Sequence, residues 1–370
     1  MATLREIPTI DSPHFNVSER VSVRGKFFFA GKEKFYVKGV SYGAFRQDAD
    51  KREYWDQPLI DRDFAQMAAN GINTVRIPHT MPPRSLLDLA HKHGLRVMVG
   101  LSAEQYVGFL IDRDKKAPDV CKLVREKVRT VAGHPALLCY ALGNEIPASV
   151  ARWLGGKKIE RYLHRLYCAV KAGDPEGIVT YVNYPSTEYF ELPFLDALAF
   201  NVYLEREDRY RAYLARLQNI AGDRPLLMSE IGLDAMRNGE ADQARALDWQ
   251  IRSTFAAGCA GVVIFSWTDE WHRAGEEVED WAFGLTNRER QPKPALETVR
   301  RSIPISLRTP VRRSRHTSVD ARMVSVNRHF AFSGRAGFHL AATHDCLAAR
   351  GAFHRVVAQS CRYRRPRSDL

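Results

Sequence analysis

From Phe35 onward the chain alternates short apolar runs with amphipathic stretches, and it does so eight times. The apolar runs are KFYVKGVSYGAF, INTVRIP, LRVMVGL, ALLCYALGNE, GIVTYVNY, DALAFNVYL, RPLLMSEIGL and GVVIFSWTDEW. Several are rich in Val, Ile, Phe and Tyr, and their hydrophobicity is continuous rather than alternating. Strands of a parallel sheet covered on both faces read this way.

Helical periods lie between the runs. PLIDRDFAQMAANG sets Ile60, Phe64, Met67 and Ala68 on one face and stops at Gly71. PPRSLLDLAHKHG opens on proline and closes on Gly94, the usual asymmetry of helix ends. KKIERYLHRLYCAVKAGD carries Ile159, Tyr162, Leu163, Leu166 and Ala169 as its stripe, and EADQARALDWQIRSTFAAG and KPALETVRRSI supply the last two. Between the third and fourth runs a long loop, SAEQYVGFLIDRDKKAPD, precedes the helix.

Eight strand–helix repeats in about 270 residues predict a (β/α)8 barrel, an α/β fold, over residues 35–303. An open doubly wound sheet would carry fewer units and tend to place a glycine-rich phosphate turn after its first strand. VKGVSYG is not such a turn. In the extension 1–34 and its join to the barrel, VRGKFFFAGKEKFYV predicts a hairpin turning at Gly31-Lys32 and capping the barrel floor.

Composition changes this picture in two places. The 370 residues, 45% of them hydrophobic, can build one large core or two modest ones. No run of about 18 apolar residues predicts a membrane span, and MATLREIPTIDSPHFNVSER has no apolar segment of a secretion signal. Cys121, Cys139, Cys168, Cys259, Cys346 and Cys361 are scattered without a C-x-x-C pair, four of them in apolar-periodic segments. That pattern predicts reduced thiols and a cytoplasmic location, where the sequon at Asn16 has no use. The net charge of +12 is uneven: residues 304–370 hold 13 Arg, 3 Asp and neither Lys nor Glu, about +10 of the total. The body is almost neutral and gives no reason to expect nucleic acid as a partner.

After Ser302 the repeat pattern collapses, and 304–370 reads as a basic, irregular, disordered tail. An Arg-rich tail can hold nucleic acid or anionic lipid through phosphates, with salt-sensitive binding that deletion of 304–370 would abolish. His339, His344, Cys346, His354 and Cys361 fit no standard zinc spacing. The composition favours an extension without a core, open to trypsin after about residue 303.

Two carboxylates carry the chemistry. Active sites of such barrels gather at the C-terminal ends of the strands. Glu145 ends the fourth run and Glu230 the seventh, 85 positions apart, close to three repeats of roughly 30 residues. Strands four and seven stand on opposite sides of the mouth, so both side chains can reach one cleft. A facing pair, one acid protonated and one ionised, is the apparatus of glycoside hydrolysis. A gap near ~5 Å implies a covalent intermediate and retention, a wider one inversion.

YALGNEIP, LLMSEIGLD and FSWTDEW resemble the clan of retaining glycosidases whose catalytic acids end strands four and seven. Within it the chain is similar to the TIM-barrel domain of glycoside hydrolase family 2, over roughly residues 35–300. FYVKGVSYGAF and NGINTVRIPHTMPPRSLLDLAHKHGLRVMVGL resemble that family's opening strands. The stretch also resembles a barrel found at the front of some bacterial polysaccharide glycosyltransferases. The resemblance implies Glu145 as acid/base, Glu230 as nucleophile and Asn144 as the partner of the sugar 2-hydroxyl. It further implies that Arg76 pairs with Glu230, Tyr203 donates to it and Trp267 forms an apolar platform for the sugar. Asn201, Tyr184, Asp269 and Glu270 lie at predicted rims and are candidates for setting which sugar fits.

Family 2 enzymes usually carry β-sandwich modules ahead of the barrel, and the 34 residues before Phe35 are too few for one. Specificity therefore does not transfer by analogy. The expected activity is a retaining β-glycosidase on a β-linked oligo- or polysaccharide. A transglycosylase in polysaccharide assembly, associated with glycosyltransferase machinery, shares the same intermediate. A non-catalytic carbohydrate-binding barrel would keep the cleft and tolerate loss of either carboxylate. The mechanism calls for no metal, and no cofactor motif is present.

Overall fold

The computed structural model describes residues 19–112, 118–273 and 275–308, with the backbone alone at 111, 112 and 303–308. Three short strands, β1 Val21–Arg24, β2 Phe27–Ala30 and β3 Glu33–Phe35, form an antiparallel sheet in the order β1-β2-β3. The turn at Gly31-Lys32 joins Ala30 to Glu33, with Gly31 at φ +60°, a left-handed value that glycine takes without strain. A second turn at Gly25-Lys26 adds β1, so the predicted hairpin is part of a three-stranded sheet.

Eight parallel strands follow: β4 Val37–Ser41, β5 Thr74–Ile77, β6 Arg96–Gly100, β7 Leu137–Asn144, β8 Val179–Asn183, β9 Leu198–Asn201, β10 Leu226–Ile231 and β11 Gly261–Ile264. They close into a barrel, β11 pairing with β4. Each corresponds to one apolar run. Their unbroken hydrophobicity conceals an alternation, interrupted on β7 where Leu138 and Cys139 both face inward at a register shift. Val97 and Val99, Tyr140 and Leu142, Leu226 and Met228, and Val262 and Ile264 belong to the cluster shared with the helices. Met98, Cys139, Ala141, Leu227 and Val263 belong instead to an inner cluster with Val21, Phe28, Ala30 and Phe35. The small sheet thus closes the barrel floor, and the mouth stays at the strands' C-terminal ends.

The helices form the outer layer. In Gln57–Ala69 the buried residues are Ile60, Asp63, Phe64 and Met67. Asp63 thus joins the predicted stripe, and Ala68 stands at its edge. In Gly156–Gly173 the predicted stripe is buried in full, with Val170 added. The expected helix fails between β8 and β9, where a single 3-10 turn, Pro185–Thr187, takes its place. Pro185 and Pro193 interrupt any helical ladder there, and buried Phe190, Leu192 and Leu195 fill the vacated layer. The last helix, Pro294–Arg308, runs beyond the predicted end of the repeats at 303. The tail expectation from residue 309 onward, with its histidines and two cysteines, lies outside the described residues. Among the described residues no helix is long and apolar enough to cross a membrane.

Candidate active site

Alternation alone would not aim both acids inward. Along β10, Leu227 faces the barrel axis and Met228 the helices, and the register then shifts between Met228 and Glu230. The bulge lets the consecutive Ser229 and Glu230 both turn inward before Ile231 resumes the outer face. On β7 the register shifts between Ala141 and Asn144. Asn144 and Glu145 then follow one another into the mouth, with Glu145 at φ +47°, the left-handed region. A non-glycine residue holds that conformation only when its surroundings fix it.

Those surroundings are a continuous hydrogen-bond network. Arg76, one residue before the end of β5 and 1% exposed, donates from Nη1 to Glu230 Oε1 at 2.5 Å and Ser41 Oγ at 3.2 Å. Its Nη2 donates to Asn144 Oδ1 at 2.8 Å. Tyr203 donates its hydroxyl to Glu230 Oε2 at 2.6 Å. Asn201 donates to Glu145 Oε1 at 3.0 Å and to Asn144 Oδ1 at 3.2 Å, and accepts from Ser229 Oγ at 2.8 Å. Both partners of Glu230 are donors, the bonding that an acceptor-only carboxylate calls for. Burial and the charge of Glu230 push the Tyr203 hydroxyl's pKa far up, so it stays a donor.

Glu145 has the opposite environment. Its one hydrogen-bonding side-chain neighbour among the described residues is an amide. Burial, and then the negative charge of Glu230, push its pKa up to about 8, against smaller opposing effects of Asn201 and Arg76. The two acids are set apart, Glu230 between two donors and Glu145 pushed toward its neutral form, a contrast that lets a single cleft run acid and nucleophile chemistry together.

The remaining predicted residues divide. Asn201 is fully enclosed and bridges the two strands, and Tyr184 accepts from the Ala148 N–H at 2.8 Å beside the helix that follows Glu145. Asp269 accepts from Gly284 N at 2.7 Å and from Lys293 Nζ at 3.1 and 3.2 Å. Glu270 accepts from Arg290 at 2.6 Å. Both acids brace the rim loop. The platform expected of Trp267 is corrected: it is 0% exposed, in the outer core, and offers no face to a ligand. β11 ends at Ile264, so alternation no longer fixes where the next aromatics point. Phe265 stands nearer the acids, its ring 6.4 Å from that of Tyr203, within an aromatic cluster with Trp271, Trp281 and Phe283.

Glu104 carries no sequence signal, because it lies in the long loop after β6. Its Oε2 accepts the Asn144 N–H at 3.1 Å, and its other oxygen is 4.0 Å from His79 Nδ1. Gly143 permits this approach, since a Cβ there would fall 2.8 Å from Glu104 Oε2. Glu104 therefore holds the backbone that turns Glu145 into the mouth. Glu104→Ala is expected to lower kcat about tenfold with little change in KM, and Glu104→Gln, which keeps an acceptor, to recover most of it. Steady-state kinetics on an aryl glycoside check this.

The model of the TIM barrel domain of glycosyl hydrolases family 2 matches residues 21–305. Among curated proteins, the β-glucuronidase of Rattus norvegicus is 28% identical over 240 residues, 60% of this chain and 34% of that one. The β-glucuronidase of Felis catus is 26% identical over 317 residues, covering 76% and 45% of the two chains. The chain thus spans a third to under a half of these relatives. A family 2 β-galacturonidase from Eisenbergiella tayi, solved bound to galacturonate, superposes with a TM-score of 0.62 at 19% identity, over 77% of this chain and 54% of that one. A β-glucuronidase from Ruminococcus gnavus gives 0.61 at 17% identity, over 76% and 51%. At such identities the superpositions speak for the barrel alone.

Proposed function

Because the chain belongs to glycosyl hydrolase family 2 through its TIM-barrel domain, we propose that it is a retaining β-glycosidase with Glu145 as acid/base and Glu230 as nucleophile. The observation that carries this reading is the opposed environment of the two carboxyls, Glu230 held between Arg76 and Tyr203 and Glu145 pushed toward neutrality by burial and then by the charge of Glu230. A retaining mechanism requires a short gap of about 5 Å between the two carboxyls, where the wider gap of an inverting enzyme admits a water.

In the first step Glu230 attacks the anomeric carbon as the glycosidic bond breaks, and the Glu145 proton goes to the departing oxygen. The product is a glycosyl ester on Glu230 and an ionised Glu145. Esterification removes the negative charge that, after burial, had raised the Glu145 pKa. The same group then accepts a proton from water as the water oxygen attacks the anomeric carbon and the Glu230 carboxylate leaves, which restores both acids. Asn144, whose amide oxygen accepts from Arg76, bonds the sugar's 2-hydroxyl in this reading.

Activity in the free enzyme needs Glu145 protonated, so kcat/KM should fall as pH rises through its raised pKa, with a basic limb near pH 8. Glu145→Gln should lose that limb on a substrate whose leaving group needs no proton. A pH profile with no basic limb traceable to Glu145 would refute the acid assignment. The test of the whole reading is a panel of aryl β-glycosides that includes glucuronides and galacturonides, the substrates for which the relatives are named. A fluorosugar trap and peptide mass spectrometry follow. A label on Glu230 is expected, and a label elsewhere, or none on an active preparation, sinks the mechanism.

A further inference from the structure

The connection leaving β11 contributes four aromatic side chains to one cluster, Phe265, Trp271, Trp281 and Phe283, with neighbouring ring centroids 4.8 to 6.0 Å apart. At one end Phe283 and Phe265 meet the Tyr203 ring edge-on, at 5.8 and 6.4 Å, and Tyr203 donates to Glu230 at 2.6 Å. The three rings converge on Gly232, two residues past Glu230. A Cβ there would come 2.8 Å from the Phe265 carbonyl oxygen, 3.3 Å from the Phe283 ring and 3.7 Å from that of Tyr203. At the other end Trp271 meets the His79 ring at 6.2 Å, and His79 lies 4.0 Å from Glu104, the acceptor of the Asn144 N–H. The aromatics thus wall the mouth on its β11–β4–β5 side, from the support of Glu230 to the support of Asn144. Phe265 and Trp271 are buried, whereas Trp281 and Phe283 keep part of their surface open.

The charges at this rim are already matched. Arg290 pairs with Glu270 and Asp63, Lys293 with Asp269 and Arg288 with Glu277. Exposed Arg273 stacks over the Trp281 ring at 5.8 Å and has Asp280 as its opposite charge. Arg76 is taken up by Glu230, Asn144 and Ser41. An acid group on the sugar would therefore enter beside the Glu230 carboxyl and lose its water without gaining a free cation among the described residues. Aromatic faces add to the penalty: their negative potential favours C–H groups and cations and repels a carboxylate.

In the reading above, Glu230 bonds the anomeric carbon and Asn144 the 2-hydroxyl of one sugar, and a pyranose held at both points lies along the wall that runs between their supports. We propose that this wall makes the site specific for a neutral glycone: the sugar transferred to Glu230 is an uncharged hexopyranose, not a uronic acid. The proposal rests on the roles given to Glu230 and Asn144 and names the substrate class of that same site.

The test pairs aryl β-glycosides that differ only at C6: glucoside with glucuronide, galactoside with galacturonide, mannoside with mannuronide. For the best substrate series, kcat/KM of the neutral sugar should exceed that of its uronide by more than about tenfold, and a smaller ratio overturns the proposal. Phe283→Lys should narrow the ratio at least about fivefold, because a lysine stem can lie along the wall and carry its charge to the sugar. A smaller change takes the wall away from the glycone and overturns the proposal as well. A second readout needs neither turnover nor a variant: calorimetric titration of the wild type with deoxynojirimycin-type iminosugars of the three series and with their C6 carboxylates. Tighter binding of a neutral iminosugar supports the wall even if no glycoside is cleaved, in which case the catalytic assignment falls and the wall stands. Equal or tighter binding of a carboxylate, or binding of none, removes the wall, while a label on Glu230 would leave catalysis in place.

Discussion

Glu230→Gln is expected to lower turnover of an aryl β-glycoside by about 10⁴-fold or more, with the fold intact. The amide keeps the shape, and its one oxygen still accepts from Arg76 while its NH2 faces the Tyr203 hydroxyl oxygen, but it cannot form the glycosyl ester. Loss of that size follows from removing a nucleophile, because what remains is binding and acid assistance alone. A good leaving group should not rescue the variant, whereas it should partly rescue Glu145→Gln, whose defect is a missing proton. Equal rescue of both by the leaving group would mean that the roles are assigned wrongly. Initial rates across aryl glycosides of graded leaving-group acidity, with circular dichroism as the folding check, decide it.

The second large effect concerns stability. Arg76 is 1% exposed and its guanidinium joins Glu230, Asn144 and Ser41, so Arg76→Met strands a carboxylate in a closed site. Breaking a buried pair by removing one partner costs about 3–5 kcal/mol, or roughly 6–20 °C of melting temperature for a barrel of this size. Removing both partners is gentler, because no uncompensated charge remains. The double variant Arg76→Met with Glu230→Gln should therefore melt above Arg76→Met alone, although it carries more changes. Thermal unfolding at neutral pH reads this directly. A double variant that melts lower than the single one would show that Arg76 acts by packing, not by pairing.

The eight strands and the two acids were legible in the chain because both depend on local order: runs of buried residues, and a carboxylate where a run stops. Arg76, Asn144, Asn201 and Tyr203 were legible for the same reason, each lying at or just beyond a strand end. What escaped depends on distant partners or on counting. Asp269 and Glu270 look like cleft acids until Lys293 and Arg290 reach them from more than fifteen residues away. Trp267 looks like a platform until β11 is seen to end at Ile264, after which alternation predicts nothing. Glu104 sits in a loop with no period, and only its closeness to Gly143 gives it meaning. The absent β8–β9 helix had a local warning in Pro185 and Pro193, outweighed by the regularity of the repeat.

The bulges on β7 and β10 make the cleft depend on parity as much as on chemistry. Deleting one residue within either irregularity would return the strand to even spacing and swing its carboxylate toward the helical layer. No side-chain exchange could repair that, since every amino acid at the position would inherit the wrong direction. Insertions and deletions at these two strand ends are thus a distinct route to inactivation, one that leaves composition, barrel closure and both glutamates in place.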